Sequence, residues 1–240
     1  SSNSGTRGCY STNETIGQYY ILDDDNGIKC KNSQKAQRKD IGESEWKYFA
    51  ERDYLAGIFL WTGMDYRGEP TPLVYPAIST QFGIFDYCGF PKDNYYKSWW
   101  TDEPTLHIFP HWNFENGEKI NVYCYSNLDE IELFVNGKSY GKKQMERNWY
   151  LTWENVVYET GGVTAKGYKD GKEVMTQTIK TTDAPYKIEL MPYKDNIAVG
   201  ETAIINVRIA DKNGITVPTA DNQIFFTVEG GQFLGCGNGN

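Results

Sequence analysis

From residue 102 onward the chain alternates between apolar and polar positions. Ile120, Val122 and Cys124 are interleaved with Asn121, Tyr123 and Tyr125, and Ile131, Leu133 and Val135 repeat the period before running into Asn136-Gly137. Successive strand residues point to opposite faces, so this period predicts strands with one buried side, and Asn-Gly suits the positive φ angles of a two-residue hairpin. Val163 and Ala165, then Asp170-Gly171, then Val174 and Thr176 predict a second hairpin. Short antiparallel strands with regular turns predict a β-sandwich, self-sufficient from Asp102 to Thr182. Thr181 to Pro185 reads as a linker. A further block follows, with Ile188 and Leu190, then Ile205, Val207 and Ile209, a turn at Lys212 to Gly214, and a strand through Ile224, Phe226 and Val228. It is shorter than the roughly 100 residues of a complete immunoglobulin-type sandwich, so it is expected to be the start of such a module.

The first hundred residues have a different texture. After a polar, glycine-containing segment to about Gly42, the residues Trp46, Phe49, Ala50 and Tyr54 recur at helical spacing, which predicts a helix over Ser44 to Tyr54 with Ser44 as its N-cap. Leu55 to Thr62 is apolar without alternation, the pattern of a strand covered on both faces in a parallel sheet. A Gly/Pro-rich loop, a second apolar segment at Phe82 to Tyr87 and an aromatic run from Tyr95 to Trp100, read as the end of a helix, complete an α/β texture. One or two βα units cannot close a barrel of about 250 residues, so this part is expected to be incomplete.

Composition narrows the function classes. With 240 residues and 15% aromatic content the chain can bury real cores, and its net charge of -8 argues against a nucleic-acid partner, which needs clustered Lys and Arg. No stretch approaches the roughly 18 apolar residues of a membrane span. Cys9, Cys30, Cys88, Cys124 and Cys236 are scattered singly and read as structural thiols rather than a zinc or redox motif. They leave the compartment open, a periplasmic or secreted setting being the preferred one.

Candidate chemistry concentrates in the run WTGMDYRGEPTP. Trp61 sits at the end of the expected buried strand, where a parallel αβ barrel builds its active site, with Asp65, Tyr66 and Glu69 just beyond it. An indole face can stack on the apolar face of a sugar, and carboxylates accept hydrogen bonds from its hydroxyls. The competing reading is a Trp that caps a core beside turn-capping acids. Other candidates read as structural. Glu43 and Glu45 suit a helix N-terminus. Asp23, Asp24 and Asp25 miss the calcium-loop register, because the next oxygen ligand falls on Gly27. His107 and His111 lack an evident third ligand for zinc and have Pro110 between them. No Gly-rich phosphate loop and no Ser/His/Asp grouping is present.

The segments FLWTGMDYRGEPTP, FGIFDYCGFPKDNYY, PHWNF and DEIELFVNGKSYG, with SGTRGCY near the front, closely resemble in order and spacing the C-terminal half of family-two glycoside hydrolases of the bacterial β-galactosidase type. The resemblance implies a multidomain α/β plus all-β architecture. Residues 1–101 would be the last βα units of a (β/α)8 barrel, 102–184 an immunoglobulin-like β-sandwich, and 185–240 the start of a bacterial immunoglobulin-like domain. It implies a retaining hydrolase of terminal β-galactosides, in which one glutamate protonates the leaving oxygen and another attacks the anomeric carbon. Asn13-Glu14 does not match the acid/base motif, and by register the nucleophile lies just upstream of Ser1, so neither catalytic carboxylate is expected within the chain. Trp61 would be a galactose-stacking wall, with Asp65 and Glu69 as further substrate contacts. The implied partner is a β-galactoside, with no cofactor, metal, nucleic acid or membrane, and with a homo-oligomeric parent left open. The alternative is a non-catalytic carbohydrate-binding or spacer protein, with the aromatic stretches Tyr95 to Trp100 and Trp149 to Trp153 as stacking surfaces. Against it stands the FLWTGMDYRGEP run, which a free-standing module has no reason to carry.

Overall fold

The computed structural model describes residues 20–23, 27–30, 41–59 and 92–236. Near the front, β1 (Tyr20–Asp23) and β2 (Gly27–Cys30) form a small antiparallel pair that closes with Asp23 opposite Gly27. Two helices follow, α1 (Ile41–Ala50) and α2 (Lys92–Trp100). Seven strands then build the sandwich: β3 (Leu106–Phe109), β4 (Lys119–Ser126), β5 (Glu130–Val135), β6 (Lys138–Gln144), β7 (Leu151–Val157), β8 (Gly162–Lys169) and β9 (Lys172–Lys180). They pair antiparallel in two sheets, β3-β4-β7 and β6-β5-β8-β9. A separate ribbon pairs β10 (Lys187–Pro192) with β11 (Ile205–Ala210).

The sandwich follows from its sequence with little left over. Ile131, Leu133 and Val135 on β5 and Val163 and Ala165 on β8 point inward, where they meet Ile108, Val122, Cys124, Leu151, Trp153 and Val156 from the other sheet. Each such aliphatic side chain removed from water contributes roughly 1.5 to 3 kcal/mol before chain entropy is counted. Trp112 is fully buried at the centre, tilted against Tyr158 at 5.2 Å, and its indole N–H donates to the Glu159 carbonyl at 3.1 Å. Both expected hairpins form. Asn136 and Gly137 have φ of 48° and 82°, and Asp170 and Gly171 have φ of 50° and 73°, as a two-residue turn of this hand requires.

Side chains close the two seams between the sheets. Along one, the Ile108 amide donates to Gln177 Oε1 at 2.6 Å; along the other, the Trp153 indole donates to the Gly141 carbonyl at 3.2 Å and Lys143 Nζ to the Thr152 carbonyl at 2.6 Å. Backbone groups at strand edges would otherwise offer themselves to another chain.

Three local expectations are corrected. The first helix starts at Ile41, so Ser44 lies inside it rather than at its cap; Glu43 falls in its first turn, as expected of an acid at a helix N-terminus, and is buried there. The part of the Leu55 to Thr62 run that is described, Leu55 to Phe59, is not a strand, and Phe59 is 96% exposed. A strand buried on both faces needs neighbours on both sides, and among the described residues none lies beside this run. The segment around Ile224, Phe226 and Val228 is likewise not a strand.

The region after the sandwich is tied down at its start. The Thr181 amide donates to the Gly161 carbonyl, the Thr182 amide to Asn113 Oδ1, and the Asp183 amide to Asp211 Oδ2, so the expected linker is a hydrogen-bonded strap. Asp211, itself buried, also accepts from the Asn213 and Ile215 amides and thereby builds the turn predicted at Lys212 to Gly214. Desolvation pushes its carboxyl up, but the backbone donors Ile215, Asp183 and Asn213 outweigh that and hold it below the ordinary carboxylate value. The ribbon has a polar face, where Glu189 pairs with Lys187 and Arg208, and an apolar face, where Ile188 lies opposite Ile209, Leu190 opposite Val207 and Pro192 opposite Ile205. Ile188, Leu190 and Ile205 on that apolar face are about half exposed or more.

Candidate functional site

Trp61, Asp65 and Glu69, the residues expected to contact sugar, lie outside the described residues, as do Asp24, Asp25 and the segment Phe82 to Tyr87. What the structure does place is the junction that joins the helices before that run and after it to the sandwich. The alternation along β4 predicts that Tyr123 and Tyr125 face solvent; both are buried instead, because α1 and α2 cover the outer face of the β3-β4-β7 sheet. Phe109 stacks on Tyr123 with ring centroids 5.3 Å apart, and Tyr125 meets Tyr95 edge-on at 5.3 Å, with Tyr96, Trp46, Trp99 and Tyr150 around them. Tyrosines at two successive outward positions of one strand were the available sequence signal, since a solvated face has no need of them.

Polar contacts cross the same junction. The Tyr125 hydroxyl donates to Glu43 Oε1 at 2.7 Å, and the Tyr95 hydroxyl lies between the carbonyls of Glu43 (3.1 Å) and Asn148 (2.9 Å). Burial, and next the Glu43 charge, push the Tyr95 phenol well above its ordinary range, which keeps it a donor. From α1, the Trp46 indole donates to Asn148 Oδ1 at 3.1 Å; from α2, the Trp99 indole donates to the Trp149 carbonyl at 3.2 Å. Lys47 pairs with Glu146 and lies over the Trp149 ring. The aromatic run Tyr95 to Trp100 thus packs the junction, while Trp153 belongs to the sandwich core. Without the helices the sandwich would expose Phe109, Tyr123 and Tyr125.

The histidines are packing residues. His107 lies on β3 with its ring 5.9 Å from Phe109, and His111, beyond the cis Phe109-Pro110 bond, stacks on Phe114 at 4.5 Å while its Nδ1 accepts the Asn113 amide at 3.0 Å. Among the described residues no group of three or more His, Cys, Asp or Glu could hold a metal ion, and no helix is long and apolar enough to cross a membrane. Cys124 is fully buried, and burial pushes its thiol up, so it is an unreactive core group.

Comparison with known proteins gives this architecture a family. Residues 117–175 match a domain of unknown function, DUF4982, and residues 188–240 match glycoside hydrolase family 2 C-terminal domain 5. The chain belongs to glycoside hydrolase family 2, to the C-terminal portion of its members. It is 42% identical over 82% of its length to the β-galactosidase BoGH2A of Bacteroides ovatus, and 33% identical over 77% to a putative β-glucuronidase of Formosa agariphila. A crystal structure of a β-glycosidase from Bacteroides vulgatus superposes with a TM-score of 0.65 at 36% identity, covering 72% of this chain and 23% of that one. The chain spans 24% and 19% of the lengths of the two sequence relatives.

Proposed function

We propose that this chain is part of a retaining glycoside hydrolase acting on terminal β-galactosides, to which it contributes one wall of the sugar site and the accessory sandwich modules. The observation that carries this reading is the 42% identity to a β-galactosidase over 82% of the chain, which extends well beyond the sandwich into the α/β-textured front. In this reading residues 1–101 are barrel βα units, 102–184 the immunoglobulin-like sandwich and 185–240 the start of a further immunoglobulin-like module. Trp61 stacks on the galactose ring, and Asp65 and Glu69 accept hydrogen bonds from its hydroxyls. Both catalytic glutamates fall outside these 240 residues, so the chain by itself is inactive.

A second sugar class has a specific observation behind it, because the 33% relative is a putative β-glucuronidase. A glucuronide carries a carboxylate that needs a cationic partner, whereas a galactoside is neutral. Steady-state kinetics of the gene product containing this chain, on nitrophenyl β-galactoside and β-glucuronide side by side, separate the two. The galactoside should have the larger kcat/KM, and Trp61→Ala should lower it by roughly 30- to 1000-fold, the equivalent of about 2 to 4 kcal/mol of lost stacking. Preference for the glucuronide overturns the sugar assignment. Normal kinetics in a destabilised Trp61→Ala enzyme would make Trp61 a core residue. Turnover by the 240-residue chain alone would place a catalytic acid within it, Asp65 and Glu69 first.

A further inference from the structure

The junction between the helices and the sandwich has two kinds of contact that do different things. Its aromatic packing, Tyr95, Tyr96, Trp46 and Trp99 against Phe109, Tyr123, Tyr125 and Tyr150, supplies area without direction. Its hydrogen bonds are directional, and apart from the Tyr125–Glu43 bond of β4 those from the helices to the sandwich converge on one loop between β6 and β7. Asn148 in that loop is 9% exposed and holds a left-handed backbone with φ of 59°. Its side-chain oxygen takes the indole N–H of α1, through Trp46, and its carbonyl takes the hydroxyl of α2, through Tyr95. One residue of the sandwich thereby accepts side-chain hydrogen bonds from both helices. The left-handed backbone aims the carbonyl and the side chain at two different elements at once, and asparagine adopts that conformation with less strain than other residues bearing a side chain.

We propose that Asn148 is the positioning residue of this junction: it fixes the orientation at which α1 and α2 dock on the sandwich, so that the two helices and the sandwich form one cooperative unit. Buried polar groups among apolar ones select an arrangement more than they add to its stability, because a rotated packing would leave them unpaired. This inference does not depend on which sugar the parent cleaves.

Hydrogen exchange followed by mass spectrometry on the intact chain tests it, with near-ultraviolet circular dichroism as the second readout. Asn148→Gly keeps the left-handed backbone and removes only the acceptor for Trp46. It should leave the core strands 131–135 and 163–168 protected as before, while exchange over 45–50 and 94–100 accelerates about tenfold and the aromatic dichroism falls. Asn148→Asp keeps both an acceptor oxygen and tolerance of the left-handed region, and should behave as the unsubstituted chain. Unchanged helix protection in Asn148→Gly overturns the proposal in favour of packing alone. Equal loss of protection in helices and core strands overturns it in favour of a general contribution to stability, and so does an Asn148→Asp chain that opens like Asn148→Gly.

Discussion

Two regions of this chain carry the same alternating pattern and come to different ends. In the sandwich, Ile131, Leu133 and Val135 on β5 are sealed, whereas on β10 Ile188 and Leu190, spaced in the same way, are 54% and 61% exposed. Both strands pair in good register and both have one apolar face. The difference is the second layer. The sheet containing β5 lies against β3-β4-β7, while the ribbon β10-β11 has no sheet packed on its apolar side among the described residues. Pairing satisfies the backbone, and only a facing layer removes side chains from water, so a two-stranded ribbon alone gains little from its alternation.

The sharpest way to break that comparison is to cut the same kind of contact on each side of it. Trp112→Ala should cost about 3 to 5 kcal/mol, since it empties a large site in a packed core and strands the Glu159 carbonyl. Urea unfolding followed by the dichroism of the sandwich measures it, and a loss below about 1 kcal/mol would mean the core is looser than its burial implies.

A smaller effect concerns the turn that anchors the ribbon. The Asp211 carboxyl is held below its ordinary value of 3.8, so its contribution is fully present above that value and is lost as pH falls through the lower folded-state value. Acid titration monitored by exchange of the amides at 213 and 215 should show the turn loosening only below about pH 4, and Asp211→Ala should show it loose already at pH 7. Amides that stay protected to pH 2 would remove the carboxylate from that role.

The smallest effect is expected on the ribbon's open face. Leu190→Ala should change stability by less than about 0.5 kcal/mol, as for an exposed surface position. A cost approaching that of Trp112→Ala would show that a second layer covers this face in solution, and would erase the contrast between the two regions.

How far the sequence reached differs from element to element. It determined the strands β4, β5, β8, β9, β10 and β11, because period two is a local property of the chain, and it determined both hairpin turns, because Asn136-Gly137 and Asp170-Gly171 carry their own backbone preference. The family was legible as well, from a run of motifs in fixed order. Local pattern says which side of an element is apolar but not what will cover it. The tertiary structure alone decided what covers Tyr123 and Tyr125 on the outer face of β4, since the covering helices come from residues up to about 80 positions earlier. It alone decided that Glu43, in the first turn of α1, is also tied by a buried hydrogen bond to Tyr125, 82 positions away. It likewise left Phe59 and Leu190 in water despite their apolar neighbours. Burial is a relation between segments distant in the chain, and no window of sequence contains both partners.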